Sequence, residues 1–221
     1  IRKLSNDPAA RSQLRDEGAM IKPGPVFSGR WEHVFIRFTQ QPGDWQKSLS
    51  EIASEQGVAP TDLLLDIALA DDFETQIAVL MRNADDAQLA QIVSHPAAMI
   101  GASDAGAQIL SNTDSCYAVW TLQHWVRERQ ILGLEQAIAM LTWSQAQLLG
   151  LTDRGLIQVG KAGDLVVFDP DQVGTTGVRF VNDQPARGRR LITDATGVAL
   201  SVVNGVIATR NGGPPGSPPG R

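Results

Sequence analysis

The spacing of apolar positions changes character along the chain. Asn6-Asp7-Pro8 is a good helix start, a capping side chain followed by proline, and Pro23-Gly24-Pro25 breaks whatever precedes it. Val34-Phe35-Ile36-Arg37-Phe38 predicts a short buried strand. From Ser48 to Gln56 the apolar residues Leu49, Ile52 and Ala53 recur at helical spacing, and Gly57 closes the run. Pro60-Thr61-Asp62 opens another helix over Leu63–Ala70. Asp85-Asp86 starts one more, with Leu89, Ile92 and Val93 on one face and His95-Pro96 at its end. Residues 97–102 are apolar without alternation, as a parallel strand buried on both faces would be. Two long helices follow, Cys116 to about Gln130 and Leu134 to about Leu149. After Gly150 short β-like runs at 164–168, 190–192, 198–203 and 206–208 are separated by Gly, Asp and Asn. This shift from helix-rich to strand-rich text predicts a domain boundary near 150, giving segments 1–150 and 151–221 of an α/β protein. The Pro/Gly-rich tail from Asn211 cannot form a packed core.

Composition narrows the partners. The 221 residues are 43% hydrophobic and 19% charged, an ordinary globular balance. A net charge of −5 and the lack of any Lys/Arg run argue against nucleic acid and anionic membranes as partners. No apolar run reaches the about 18–20 residues of a membrane span. The single cysteine, Cys116, excludes an internal disulfide framework and fits a reducing compartment, read here as the cytoplasm. The chain opens on Ile1-Arg2-Lys3-Leu4, without an initiator Met or a signal-peptide pattern, and is expected to be a fragment.

The residue with the most chemical promise is Asp104. It follows the apolar run 97–102, and a carboxylate at the C-terminal end of a buried parallel strand lies where α/β barrels place their active sites. Its small neighbours Ala102, Ser103, Ala105 and Gly106 let backbone and ligand approach. Spacing alone equally accommodates a turn or helix-cap aspartate.

Met99-Ile100-Gly101-Ala102-Ser103-Asp104-Ala105-Gly106-Ala107 resembles the eighth-strand motif of the amidohydrolase superfamily, in its N-acyl-D-amino-acid deacylase (D-aminoacylase) branch. Trp125-Val126-Arg127-Glu128, Leu134-Glu135-Gln136-Ala137-Ile138, Leu141-Thr142 and Ala146 continue the likeness in order. So do Gly150-Leu151-Thr152-Asp153-Arg154-Gly155, the stretch from Gly160-Lys161-Ala162-Gly163-Asp164 to Asp169-Pro170, Val203-Asn204-Gly205 and Pro219-Gly220-Arg221. The resemblance implies the C-terminal part of a TIM-like (β/α)8 metallohydrolase barrel, followed by part of a small β-sandwich. It implies hydrolysis of an amide C–N bond in a small N-acyl amine or N-acyl-D-amino acid. It makes Asp104 both the catalytic carboxylate and a ligand of the metal, zinc. In that chemistry a metal acidifies water and a carboxylate shuttles its proton to the leaving amine.

There are departures from the branch. Gln108 stands where it commonly has His, which would keep a hydrogen bond but no proton transfer; Gly163 stands where Ala is usual, at a surface turn expected to be neutral. The only histidines are His33, His95 and His124, and none forms a His-x-His pair, whereas zinc needs three or four close ligands. All three read as structural, as does Cys116. Most ligands would then lie outside this chain, in a missing N-terminal half of the same protein, and the isolated chain is expected to be inactive. A cyclic-amide hydrolase of the same superfamily and a non-catalytic structural module are the alternatives. No phosphate loop and no nucleophile elbow are present.

Overall fold

A computed structural model describes residues 7–20, 29–44, 46–81, 83–101, 103 and 105–213, without the side chains of 18–20. The Pro23-Gly24-Pro25 break, Ala102, Asp104 and the tail beyond Gly213 lie outside the described residues. Helices and strands are mixed, and the chain forms two compact units, Ile1–Gln88 and Leu89–Arg221.

In the first unit, helix α1 (Pro8–Met20) begins where Asp7 caps it, accepting from the Ala9 N–H at 2.9 Å. Its Arg15 pairs with Asp62 at 2.6 Å. A 3-10 turn, Trp31–His33, leads into strand β1 (Val34–Phe38). Helix α2 (Leu49–Gln56) starts with a capping box: the Ser48 hydroxyl accepts from the Glu51 N–H at 3.2 Å, and the Glu51 carboxylate accepts from the Ser48 N–H at 2.7 Å. Hydrogen bonds from the Ser48 hydroxyl and then its backbone N–H hold the Glu51 carboxyl below its ordinary pKa. Gly57 ends the helix at φ 69°, a left-handed cap. Helix α3 (Pro60–Ala70) has proline in its first turn. Strand β2 (Gln76–Val79), which the apolar pattern does not reveal, pairs antiparallel with β1, Val34 opposite Val79. Val34 and Ile36, two residues apart on one face of β1, bury against Leu49, Ile52 and Ala53 of α2 and Leu63 and Ile67 of α3.

Helix α4 spans Asp86–Val93, capped by Asp85, which accepts from the Ala87 and Gln88 N–H groups. Its packed face is Leu89, Ala90 and Val93; Ile92, expected on that face, is 59% exposed. The strand expected over 97–102 does not form among its described residues. Ala97 sits in a turn, 98–101 have no regular structure, and Met99 is exposed. A parallel strand needs neighbours for its N–H and C=O groups, and no described strand pairs with this run.

The first expected long helix is observed in three sections: a 3-10 turn (Asp114–Cys116), α5 (Tyr117–Thr121) and a π-helical section (Leu122–Glu128). The second is broken. Helix α6 (Leu134–Leu141) ends at Thr142, whose backbone lies at φ −129°, ψ −81°, and α7 (Trp143–Leu148) restarts there. The Thr142 hydroxyl donates back to the Ile138 carbonyl at 2.7 Å, the local competition by which threonine interrupts helices. The break also admits Gly155, where an added Cβ would stand 2.8 Å from the Ala146 Cβ and 3.1 Å from the Trp143 Cα.

The strand-rich end holds three small antiparallel sheets. Strand β3 (Leu165–Phe168), β8 (Val198–Val203) and β9 (Val206–Arg210) form one, in the order β3-β8-β9. Asn204 and Gly205, at φ 51° and 77°, make the two-residue turn between β8 and β9. Asp164 braces this turn, accepting from the Asn204 N–H at 2.7 Å and pairing with Arg154 at 2.8 Å. Gly163 is closer-packed than a neutral surface turn, since a Cβ there would meet the Gly205 N at 3.1 Å. β4 (Gly174–Thr175) pairs with β7 (Ala195–Thr196), and β5 (Arg179–Gln184) with β6 (Gly188–Ile192). Leu122, Trp125, Leu132, Ala137, Met140 and Val173 form this unit's core. Every described strand pairing in the molecule is antiparallel. Among the described residues no helix is long and apolar enough to cross a membrane.

Two measurements check this account. Gly155→Ala should cost about 2–4 kcal/mol, combining left-handed strain at φ +87° with overpacking. Gly160→Ala, at the same φ but with nothing within 4 Å, should cost about 1–2 kcal/mol; equal losses in denaturant unfolding would discredit the packing. On the β5–β6 hairpin Arg190 holds Asp183 with two hydrogen bonds of 2.7 Å, and these bonds lower the Asp183 carboxyl to about 2. A folded-state pKa below the unfolded value means that the pair supports the fold fully above about pH 4. That support fades as pH falls through about 2. An NMR titration should place Asp183 there, and Arg190→Gln should return it to the ordinary carboxylate range.

Candidate functional site

The structure reaches Asp104 from both sides. α4 ends at a turn in which His95 is a local acceptor: its Nδ1 accepts from the Ala97 N–H at 3.1 Å and its carbonyl from the Ala98 N–H at 2.8 Å. Ile100 packs against the core, and its carbonyl accepts from the side-chain amide of Gln145 on α7. Beyond position 104, the Ala105 N–H donates to the Ser103 hydroxyl at 3.2 Å. Gly106 takes φ 88°, and successive turns run to 111. The Gln108 carbonyl accepts from the Ser111 and Asn112 N–H groups at 2.9 Å each, and its side-chain oxygen accepts from the Ser111 hydroxyl at 3.1 Å. The Ile109 carbonyl accepts from the N–H of Leu191 on β6 at 2.7 Å. Asp104 itself lies outside the described residues, so no geometry is assigned to it.

The other predicted positions are apart from this segment chemically. His33 belongs to the first unit, its carbonyl accepting from the Leu80 N–H at 2.9 Å. His124 stacks on Trp120, with centroids 4.6 Å apart and rings 13° from parallel, meets Trp125 edge-on at 4.6 Å, and has Nδ1 3.4 Å from a Glu128 oxygen. The Cys116 thiol donates to the Thr193 carbonyl at 3.3 Å, and burial pushes it above the ordinary thiol pKa, which makes it unreactive. Among the described residues no three His, Cys, Asp or Glu side chains come together to hold a metal. The described residues therefore do not by themselves fit a zinc ion.

Two side chains that sequence reasoning passed over organise the region instead. Gln123 and Arg127 project from the π-helical section onto strand β4. The Gln123 side-chain oxygen accepts from the Thr175 N–H at 2.9 Å, and Arg127 donates to the Val173 carbonyl at 2.6 Å. The Gln123 amide also donates to Glu128 at 2.8 Å, and this bond is the largest cause that holds the Glu128 carboxyl below its ordinary pKa. Nothing in a linear pattern marks these residues, because their partners lie about fifty positions on.

The amidohydrolase family model matches residues 37–208. N-acyl-D-glutamate deacylase of Alcaligenes xylosoxydans xylosoxydans is 33% identical over 139 residues, covering 62% of this chain and 26% of that protein. N-acyl-D-aspartate deacylase of the same organism is 36% identical over 106 residues, covering 47% of this chain and 21% of that protein. The chain thus spans about a quarter of the length of these curated relatives. A solved structure of N-acyl-D-glutamate deacylase from Bordetella bronchiseptica, complexed with zinc and a phosphonate inhibitor, is 24% identical with a TM-score of 0.45, covering 93% of this chain and 44% of that one.

Gln123→Met keeps the length of the side chain and removes both of its bonds. It should cost about 1–2 kcal/mol, the penalty of leaving the Thr175 N–H without its acceptor. It should also raise the Glu128 titration toward the ordinary carboxylate range. Denaturant unfolding and an NMR titration would read both, and an unmoved Glu128 would discount the bridge.

Proposed function

The chain belongs to the amidohydrolase family, and on that premise we propose that it serves an enzyme that hydrolyses the amide C–N bond of N-acyl-D-amino acids. The observation that carries this reading is the family match over 37–208, which contains Asp104 and its flanking motif. The named relatives, deacylases of N-acyl-D-glutamate and N-acyl-D-aspartate, support the substrate class. In this reading residues 1–150 are the C-terminal part of a (β/α)8 barrel and 151–221 are part of the accompanying β-sandwich. The single cysteine supports a cytoplasmic setting.

Asp104 is the group of this chain to which we assign the chemistry. As a carboxylate it accepts a proton from the attacking water and passes it to the departing amine nitrogen, so that hydroxide is delivered to the carbonyl carbon and the C–N bond breaks to a neutral amine. The small residues beside it, Ser103, Ala105 and Gly106, leave space for the acyl group. Zinc, which the Bordetella structure contains, enters as the ion that Asp104 would face, with its remaining ligands outside the described residues; when bound, zinc supplies a water acidified to a pKa of about 7. Gln108, whose amide is engaged by Ser111, has no proton to transfer.

The test is Asp104→Asn in the protein as its gene encodes it, assayed on N-acyl-D-amino acids. The amide keeps the shape and cannot take the proton, so kcat should fall by about 10²–10⁴-fold with KM little changed. Asp164→Asn, which loosens the brace between Arg154 and the β8–β9 turn, should lower stability and leave kcat nearly untouched. If Asp104→Asn keeps more than about a tenth of wild-type kcat, Asp104 is a turn residue and not the proton shuttle.

A further inference from the structure

We infer that Gln145 is a positioning residue for Asp104, holding the segment that carries it through a side-chain bond to the Ile100 carbonyl. The inference rests on the catalytic reading of Asp104. Ile100 lies four positions before Asp104 in a run that belongs to no strand, so the order a sheet would give this backbone must come from elsewhere. The Gln145 amide supplies it, a half-buried bond spanning 45 positions of sequence. At the other end, five positions after Asp104, the Ile109 carbonyl is tied to the N–H of Leu191, itself buried on β6. Segment 101–108 is therefore anchored at both ends, one anchor being a backbone bond to a strand and the other a side chain.

The platform for Gln145 is firm. Helix α7 restarts at the Thr142 break, where the Ala146 N–H donates to the Thr142 carbonyl at 3.0 Å. Ala146 is buried, and Gly155 sits against it and Trp143. The break sets α7 on a course of its own after α6, so residue 145 is not confined to the face that α6 presents to the core. A carboxylate shuttling protons between water and amine must hold its place within a fraction of an ångström, and a misplacement of about 1 Å can cost about a hundredfold. One tether among several controls part of that.

The experiment compares Gln145→Met, Gln145→Asn and Gln145→Lys in the protein as its gene encodes it. Met has the length but no donor, Asn has the donor but is one methylene short, and Lys has both reach and donor. For Met and Asn, kcat should fall about three- to tenfold with KM within about twofold, the size of one net hydrogen bond. Amide hydrogen exchange at 105–109 should quicken by a similar factor. Lys should recover at least half of the lost kcat, a rescue that mere packing would not give. Wild-type kcat and exchange in Gln145→Met overturn the inference, as does a Lys variant no better than Met. Asp104→Asn, measured alongside, separates the two claims. If it abolishes kcat while Gln145→Met is silent, only the tether falls; if it leaves kcat intact, the reading of Asp104 falls and the positioning role falls with it. Should Gln145→Met fail to fold, the Asn and Lys pair decides by the same criteria.

Discussion

The second unit depends on how the π-helical section Leu122–Glu128 grips the strand at 173–175. An α-helix carries residues four apart past a common line, whereas a ring closed five residues back brings them close to it. Gln123 and Arg127 thereby reach the same short strand and satisfy the Thr175 N–H and the Val173 carbonyl, groups that a two-residue strand leaves open. Val173 is 1% exposed, so polar groups on either side of it need protein partners. Gly174 completes the fit, because a Cβ there would stand 2.6 Å from the Gln123 oxygen. The wide helical turn, the two long polar side chains and the glycine are one arrangement, and loss of any member exposes the needs of the others.

That arrangement explains why some of the fold is legible in the sequence and some is not. Features set by a few adjacent residues are readable: the Ser48–Glu51 box, Gly57 and Pro60 mark helix ends, and Asn204-Gly205 marks a hairpin turn. The strand runs at 164–168, 198–203 and 206–208 carry enough β-branched residues to stand out, and they form the β3-β8-β9 sheet. Features decided by distant partners are not readable. Strand β2 exists because β1 lies beside it, and its sequence Gln76-Ile77-Ala78-Val79 is weak on its own. The run 97–101 has strand-like composition and no described partner, so it stays irregular. The break at Thr142 interrupts a pattern whose apolar spacing is helical on both sides, and it is fixed by Gly155, thirteen positions away.

The candidate site divides in the same way. Asp104 is visible as a motif, since its small neighbours and the text around it form one continuous stretch. What holds that stretch, Gln145 on one side and Leu191 on the other, lies 45 and 82 positions from the carbonyls it binds, by the numbering of the paired residues. Gln145 sits in Trp143-Ser144-Gln145-Ala146-Gln147-Leu148, where a glutamine reads as one more solvent-facing helix residue. Only the turn of α7 after the break gives it an inward task.

The exposed edge of the β3-β8-β9 sheet follows from the same economy of contacts. β3 lies at the edge, and Leu165, Val166 and Val167 are 40%, 61% and 51% exposed, on both faces of the strand. A strand half-buried on one face would alternate; this one does not, because β8 covers only its hydrogen-bonding edge and no helix of the unit's core reaches either face beyond Phe168. Its stability must therefore come from the ladder to β8 and from the Asp164 brace at its start, both of which are polar and local. The helical core of this unit and its outer sheet are thus held by different forces. Apolar burial around Trp125 and Met140 holds the first, and hydrogen bonds through Asp164, Asn204 and Arg154 hold the second, with Phe168 and Val198 as the apolar link between them.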